Sequence, residues 1–127
     1  MLISHPSAQV PPVLIKAKET YQSWHENLVH VKRIDRYTIG TRIDDTFMVF
    51  LEHLFQTSFA SDKFEKLSLL STSIGTCDLL KFLLQIAWNQ KVIATPIYAT
   101  LLADLEETGR MLGGWRRQLE QKTSSKN

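Results

Sequence analysis

The chain has few of the residues that build disulfide-linked or metal-bound domains. Its 127 residues include a single cysteine, Cys77, which excludes an intrachain disulfide and any metal site with several cysteines, and which suits a reducing cytosol. Five glycines and four prolines are few, and alternating Val, Ile and Thr segments are scarce, which argues against an all-β protein. The length predicts one domain with a core of its own.

Neither the first residues nor the densest apolar stretch has the pattern of a targeting or membrane segment. No Lys or Arg precedes the apolar residues of the N-terminus, so we expect no secretory signal. Lys81 interrupts the apolar run over 79–87, so we expect no membrane span and no membrane partner. Together these features predict a cytoplasmic protein.

Apolar residues recur at steps of three and four along four segments, which is the periodicity of amphipathic helices. The four stripes are Leu14, Ala17, Tyr21, Trp24, Leu28 and Val31; Ile43, Phe47, Phe50, Leu51, Leu54 and Phe55; Leu67, Leu70, Ile74, Cys77, Leu84 and Trp88; and Tyr98, Leu101, Leu105, Thr108, Leu112, Trp115 and Leu119. Short connections between them predict an all-α protein, an antiparallel up-down-up-down four-helix bundle over residues 13–121. We expect residues 1–12 to form a flexible arm and residues 122–127 a flexible tail.

Local composition predicts where the helices are interrupted. The polar and basic stretch 32–37 is expected to be a connection, with Thr38 or Thr41 as the cap of the second helix. Hydroxyl residues and a glycine over 71–76 mark a weak point, at which the third helix is expected to bend or split in two.

The sequence holds no spacing typical of a catalytic or metal site. His25 and His30 lie five residues apart, which places them about 140° apart around a helix. No His-x-x-x-His, Glu-x-x-His, phosphate-loop or dinucleotide pattern occurs. Cys77 is the one candidate nucleophile, but it lies on an apolar stripe, where a small buried side chain is expected. We therefore expect no enzymatic activity, no cofactor and no metal.

Basic residues concentrate in two segments although the net charge is only +2. Residues 32–42 carry four cations against one acid, and residues 110–127 carry five against one. The candidate cations for nucleic-acid or partner binding are Lys32, Arg33, Arg36, Arg42, Lys81, Lys91, Arg110, Arg116 and Arg117. Segregated cations bind a phosphate backbone by releasing its counterions. Solvated helix ends are the alternative interpretation, because Asp78, Glu107 and Glu120 lie within helical reach of some of these residues.

The fourth helix contains glycines where alanine would be more stable. Gly109, Gly113 and Gly114 each cost roughly 1 kcal/mol relative to Ala, yet the apolar stripe continues past them. Gly109 and Gly113 share one face, which would let another helix come close. The third helix also has more apolar residues than one buried stripe requires. We therefore expect self-association, with Gly109, Gly113, Gly114 and Trp115 in the interface; fraying of the helix end is the alternative.

Three segments resemble those of a known protein family. They are GRMLGGW at residues 109–115, RYTIGTRI at 36–43 and DLLKFLLQIA at 78–87. Over about residues 20–119 the chain resembles the Avd family, the accessory variability determinants of diversity-generating retroelements. These proteins are related to the four-helix bundles encoded in ribosomal RNA intervening sequences.

The resemblance implies a four-helix bundle that forms a pentameric barrel and acts without enzymatic activity as a partner of the retroelement reverse transcriptase. It implies that the complex binds template RNA or cDNA and supports error-prone cDNA synthesis. Four cations inside the matching segments take a candidate role in binding the polymerase or nucleic acid: Arg36, Arg42, Lys81 and Arg110. Five copies at +2 each would carry +10. The alternative function is an oligomeric adaptor that binds only protein.

Overall fold

The architecture is helical throughout the part of the chain that the structure describes. The structure, a computed structural model, describes residues 10–125, with side chains over 10–122. Its four long helices are α1 (Pro12–Asn27), α2 (Thr41–Phe59), α3 (Lys63–Asn89) and α4 (Thr95–Ser125), with no strand among the described residues. This confirms the all-α prediction with four helices. Residues 1–9 of the predicted arm and 126–127 of the predicted tail lie outside the described residues.

The helices enclose one core that the apolar stripes largely predicted. α3 packs along both α2 and α4, and α1 packs against α4 and α2. Fully buried large side chains include Trp24, Phe47, Phe50, Leu84 and Leu112. A salt bridge between Lys16 Nζ and Asp104 Oδ1 (3.1 Å) joins α1 to α4 at the edge of this core. Phe55 differs from its prediction as a core residue, because its side chain is 56% exposed.

The segment before α2 is helical, so the predicted connection over 32–37 is wrong. Arg33–Asp35 forms one α turn and Arg36–Gly40 a π-helical turn, and the chain then enters α2 without interruption. Thr38 and Thr41 do not cap α2. Their hydroxyls donate to main-chain carbonyls of the preceding turn (2.9 and 2.8 Å). The polar composition of this segment reflects exposure to solvent and not a break in the helix.

Gly40 gives the π-helical turn the space it needs. A Cβ at this buried glycine would lie 3.0 Å from the main-chain oxygen of Asp35, closer than ordinary van der Waals contact. Gly75, in the middle of α3, is the opposite case, because a Cβ there would have nothing within 4 Å.

The surroundings of these two glycines predict that replacing each by alanine changes the free energy of unfolding in opposite directions. Gly40→Ala should lower the free energy of unfolding by about 1 kcal/mol, because the turn must open to admit the methyl group. Gly75→Ala should raise it by about 1 kcal/mol, because alanine costs less backbone entropy in a helix. Urea denaturation of both variants measures the difference. A stabilising Gly40→Ala would show that the turn does not require glycine.

α3 and α4 are longer and more regular than predicted. α3 is continuous over Lys63–Asn89, so the expected bend or split over 71–76 does not occur. One hydroxyl in that stretch bonds to the helix itself: Thr76 Oγ1 donates to the carbonyl of Thr72 (3.1 Å), whereas Ser73 Oγ is buried without a hydrogen-bond partner among the described residues. α4 continues through Ser125, past its predicted end at Gln121.

α3 is also long enough and apolar enough to span a membrane, even though it contains Lys81. It is the one such helix in the part of the chain that the structure describes, and 33% of its most apolar window is buried. Core helices of soluble proteins meet the same criterion, so this feature is weak evidence for a membrane location.

Candidate nucleic-acid interface

Four candidate cations gather at one end of the bundle. The cleft at the end of α1 is lined by His30 together with Lys91, so the chain that follows His30 lies at the same end as the α3–α4 connection. Lys32, Arg33, Arg36 and Lys91 are all exposed there. Among the described residues, none of these four makes an ion pair with a carboxylate. Their charges are therefore available to an anionic partner.

An exposed aromatic ring lies beside these cations. The guanidinium of Arg33 is 5.8 Å from the centre of the Tyr37 ring, a cation–π contact within the helical segment that leads into α2. Tyr37 is 70% exposed and Ile34 is 69% exposed. The sequence prediction missed Tyr37, although its position between basic residues is typical of surfaces that stack bases.

Arg36 and Arg42 differ in their surroundings. Arg36 lines a small hollow with His25 and Asp44. The Asp44 carboxylate accepts a hydrogen bond from Trp24 Nε1 (3.3 Å), so it serves the protomer's own packing. Arg42, in the first turn of α2, is exposed and makes no ion pair with a described residue.

Lys81 and Arg110 lie together but are neutralised locally. They line one hollow between α3 and α4, with Asp78 and Glu106. Lys81 Nζ is 3.3 Å from a carboxylate oxygen of Asp78, and an Arg110 terminal nitrogen is 2.7 Å from one of Glu107. These two residues are therefore weaker candidates for binding a phosphate than the cations at the Lys91 end.

Arg116 and Arg117 lie near the other end of α4. At 1.5 Å per residue, more than 20 residues of helix separate them from Thr95, a distance of roughly 30 Å. Neither arginine pairs with Glu120, and no described residue forms an ion pair with them. The nine predicted cations thus do not form one surface.

The predicted interface residues lie along α4, and one of them packs within the protomer. A Cβ at Gly109 would be 3.9 Å from Cys77 Sγ, so this glycine faces α3. At Gly113 and Gly114 the nearest atoms to an added Cβ belong to the Arg117 guanidinium. Trp115 is partly buried and lines a groove between α4 and the start of α1. Their role in an interface between copies stays a prediction.

Apolar side chains on α2 and α3 remain uncovered in the single chain. On α3, Phe64 is 70% exposed and Phe82 57%, with Leu79 exposed one turn before Phe82. At the end of α2, the rings of Phe55 and Phe59 pack against each other with centroids 4.8 Å apart, and both are exposed. Both α2 and α3 therefore carry apolar side chains that the protomer does not bury.

Cys77 lies in surroundings that suppress its reactivity. Its side chain is buried, and Sγ donates a hydrogen bond to the carbonyl of Leu105 (3.3 Å). Burial raises the pKa of the Cys77 thiol to about 11; Lys81 lowers this pKa and Asp78 raises it, both by smaller amounts. At pH 8 about one thiol in a thousand would be ionised, whereas nucleophilic cysteines need the thiolate.

Alkylation measures the reactivity of the Cys77 thiol directly. Iodoacetamide at pH 8 should leave Cys77 unmodified in the folded protein and label it fully in denaturant, because unfolding restores both access and the usual pKa. Mass spectrometry after timed labelling gives the two rates. Fast labelling of the native protein would reopen the interpretation of Cys77 as a nucleophile.

No group of three or more His, Cys, Asp or Glu residues within the described ranges is placed to hold a metal ion. No protein-family model matches the chain, and comparisons with curated proteins and with solved structures give no significant match. The helical architecture and the surfaces described above are therefore the basis for any functional conclusion, together with the three resembling segments.

Proposed function

We propose that the chain is a cytoplasmic, non-enzymatic accessory protein of a diversity-generating retroelement. In this role it binds the reverse transcriptase and template RNA or cDNA, and it supports mutagenic retrohoming. The observation that carries the proposal is the group of cations at one end of the bundle that form no ion pair with any described residue: Lys32, Arg33, Arg36 and Lys91. An exposed Tyr37 beside them adds a surface on which a base can stack.

The proposed assembly is a homo-oligomer of up-down-up-down bundles, with five copies as the resemblance implies. Short connections between α2 and α3 and between α3 and α4 support this topology. The uncovered residues Phe64, Leu79 and Phe82 on α3 support burial against another copy, because association would remove their apolar surface from water. Assembly would bring several cationic ends together.

A salt titration of RNA binding tests the proposal. The anisotropy of a fluorescein-labelled single-stranded RNA should report binding whose affinity falls linearly with salt on logarithmic axes. The expected slope is about −0.7 for each phosphate neutralised. Affinity that does not fall as salt rises would remove the electrostatic basis for nucleic-acid binding.

An oligomeric adaptor that binds only protein is the second candidate. It is favoured by the local ion pairs of Lys81 and Arg110, which neutralise two of the four cations that the resemblance singles out. Co-purification with a retroelement reverse transcriptase that persists after ribonuclease treatment, with no retention of RNA by the chain alone, would favour this function.

A further inference from the structure

A cleft at the Lys91 end of the bundle is large enough for a small ligand. It lies between the end of α1 and the α3–α4 connection and has a volume of about 690 Å³. A neighbouring hollow of about 320 Å³ shares Asn27, His30 and Ile97 with it. Ligand sites in proteins usually measure roughly 300–1,000 Å³. No acidic residue lines the larger cleft among the described residues, which favours an anionic ligand.

Asn27 is a largely buried residue whose side-chain amide faces solvent in the cleft. It is 8% exposed and lines both the cleft and the hollow, and its side-chain amide makes no hydrogen bond with any described residue. The amide still reaches solvent, since the buried side-chain polar atoms that lack a hydrogen-bond partner among the described residues are His53 Nδ1 and Ser73 Oγ. The Asn27 side chain therefore keeps a donor group and an acceptor for a ligand. Side-chain amides of this kind pair with the edges of nucleobases.

Lys91 occupies a position in the cleft that glycine would fill more easily. It lies two residues beyond the end of α3, in the left-handed region (φ 61°), with its N–H donating to the carbonyl of Trp88 (3.0 Å). The next N–H, that of Val92, donates to the carbonyl of Ala87 (2.8 Å), which completes the turn that usually has glycine at this place. The lysine side chain is exposed beside the cleft and makes no ion pair with a described residue.

Trp88 is the aromatic residue that lines the cleft, and Tyr98, outside the lining, holds its ring in place. The rings of Trp88 and Tyr98 stack with centroids 4.7 Å apart and planes 7° apart. Trp88 Nε1 donates a hydrogen bond to Thr95 Oγ1 (3.0 Å), which ties the indole to the start of α4. The cleft therefore combines a fixed indole, an amide without a hydrogen bond to any described residue, and a cation, groups that can recognise a nucleotide.

We propose that this cleft holds one nucleotide of a single-stranded nucleic acid. The amide of Asn27 binds the edge of the base, and the ammonium of Lys91 binds the adjoining phosphate. A base in a duplex is stacked between its neighbours and cannot enter the cleft unless it is flipped out of the helix. From the cleft the strand continues over Lys32 and Arg33, which follow the end of α1. This inference rests on the proposed nucleic-acid binding and adds a defined site to it.

Three variants of the full chain test the site, with a fluorescein-labelled 12-nucleotide single-stranded RNA of mixed sequence as the probe. Asn27→Leu keeps the size of the side chain and removes the amide; it should weaken binding about tenfold and leave the salt slope unchanged. Lys91→Gly removes the charge in a conformation that glycine prefers; it should reduce the salt slope by about 0.7. Lys18→Ala, an exposed lysine of α1, should change the slope much less.

The outcomes separate this inference from the function on which it rests. If the wild type binds the RNA and both Asn27→Leu and Lys91→Gly bind it equally well, the cleft is not the site, while nucleic-acid binding stands. If the wild type fails to bind the RNA at low salt, the proposed function fails and the inference with it. Asn27→Leu should weaken binding of the single strand only. If it weakens binding of a 12-base-pair RNA duplex by the same factor, the site does not require a single strand.

Discussion

Replacing Arg33 and Arg36 together by glutamate should weaken RNA binding roughly 100-fold at physiological salt, and should reduce the salt slope by about 1.4. Both side chains are exposed and neither forms an ion pair with a described carboxylate, so the substitutions break no ion pair within the described residues and cost one exposed cation–π contact, that of Arg33 with Tyr37. Each lost cation removes one released counterion, and each new carboxylate repels the phosphates. Anisotropy titrations at several salt concentrations measure both quantities.

Replacing Arg116 and Arg117 together by glutamate is the matched control. It makes the same change in net charge near the C-terminal end of α4, away from Lys91. It should weaken binding far less, since those arginines lie roughly 30 Å from the start of that helix. Equal losses for the two double variants would mean that binding follows net charge alone. In that case the cations at the Lys91 end would have no special role.

Replacing Phe82 by glutamate should dissociate the proposed assembly into monomers. Phe82 is 57% exposed in the protomer, so a charge there remains in water while the chain is alone. In an apolar interface the same carboxylate would be buried without a partner, at a cost of several kcal/mol. The dissociation constant should rise by about a thousandfold or more. Size-exclusion chromatography with light scattering, at several protein concentrations, reports the change.

Ala99→Glu provides the control for that experiment, because Ala99 is exposed in the first turns of α4. It adds the same charge outside the apolar face of α3, near a helix N-terminus that favours acids. This variant should keep the mass of the wild type. If Phe82→Glu also keeps that mass, with an unchanged circular dichroism spectrum, α3 does not supply the interface through this residue.

The sequence predicted the core well because burial imposes a period on each helix. Trp24 and Leu112 lie where the stripes placed them, fully buried. The helical turns before α2 were missed because their exposed residues carry no apolar period, and because the space at Gly40 depends on a carbonyl five residues earlier. Phe55 continued a helical stripe that no other helix of the protomer covers.

The candidate site was harder to predict because its parts meet only in three dimensions. Charge segregation identified Arg33 and Lys91, and the helical spacing of acids correctly indicated that Arg110 could be paired locally. Asn27 was missed, because an asparagine in a helix has no distinctive pattern. Its unpaired amide becomes visible only when the α3–α4 connection is placed opposite the end of α1.

The mass of the wild-type protein in solution tests most directly whether the uncovered faces of α2 and α3 bring copies together. Sedimentation velocity at micromolar concentration should show one species of several protomers; five protomers of 14.6 kDa would give 73 kDa. A single species of 14.6 kDa across that range would mean that the exposed phenylalanines do not drive assembly, and would contradict the proposed cluster of cationic ends.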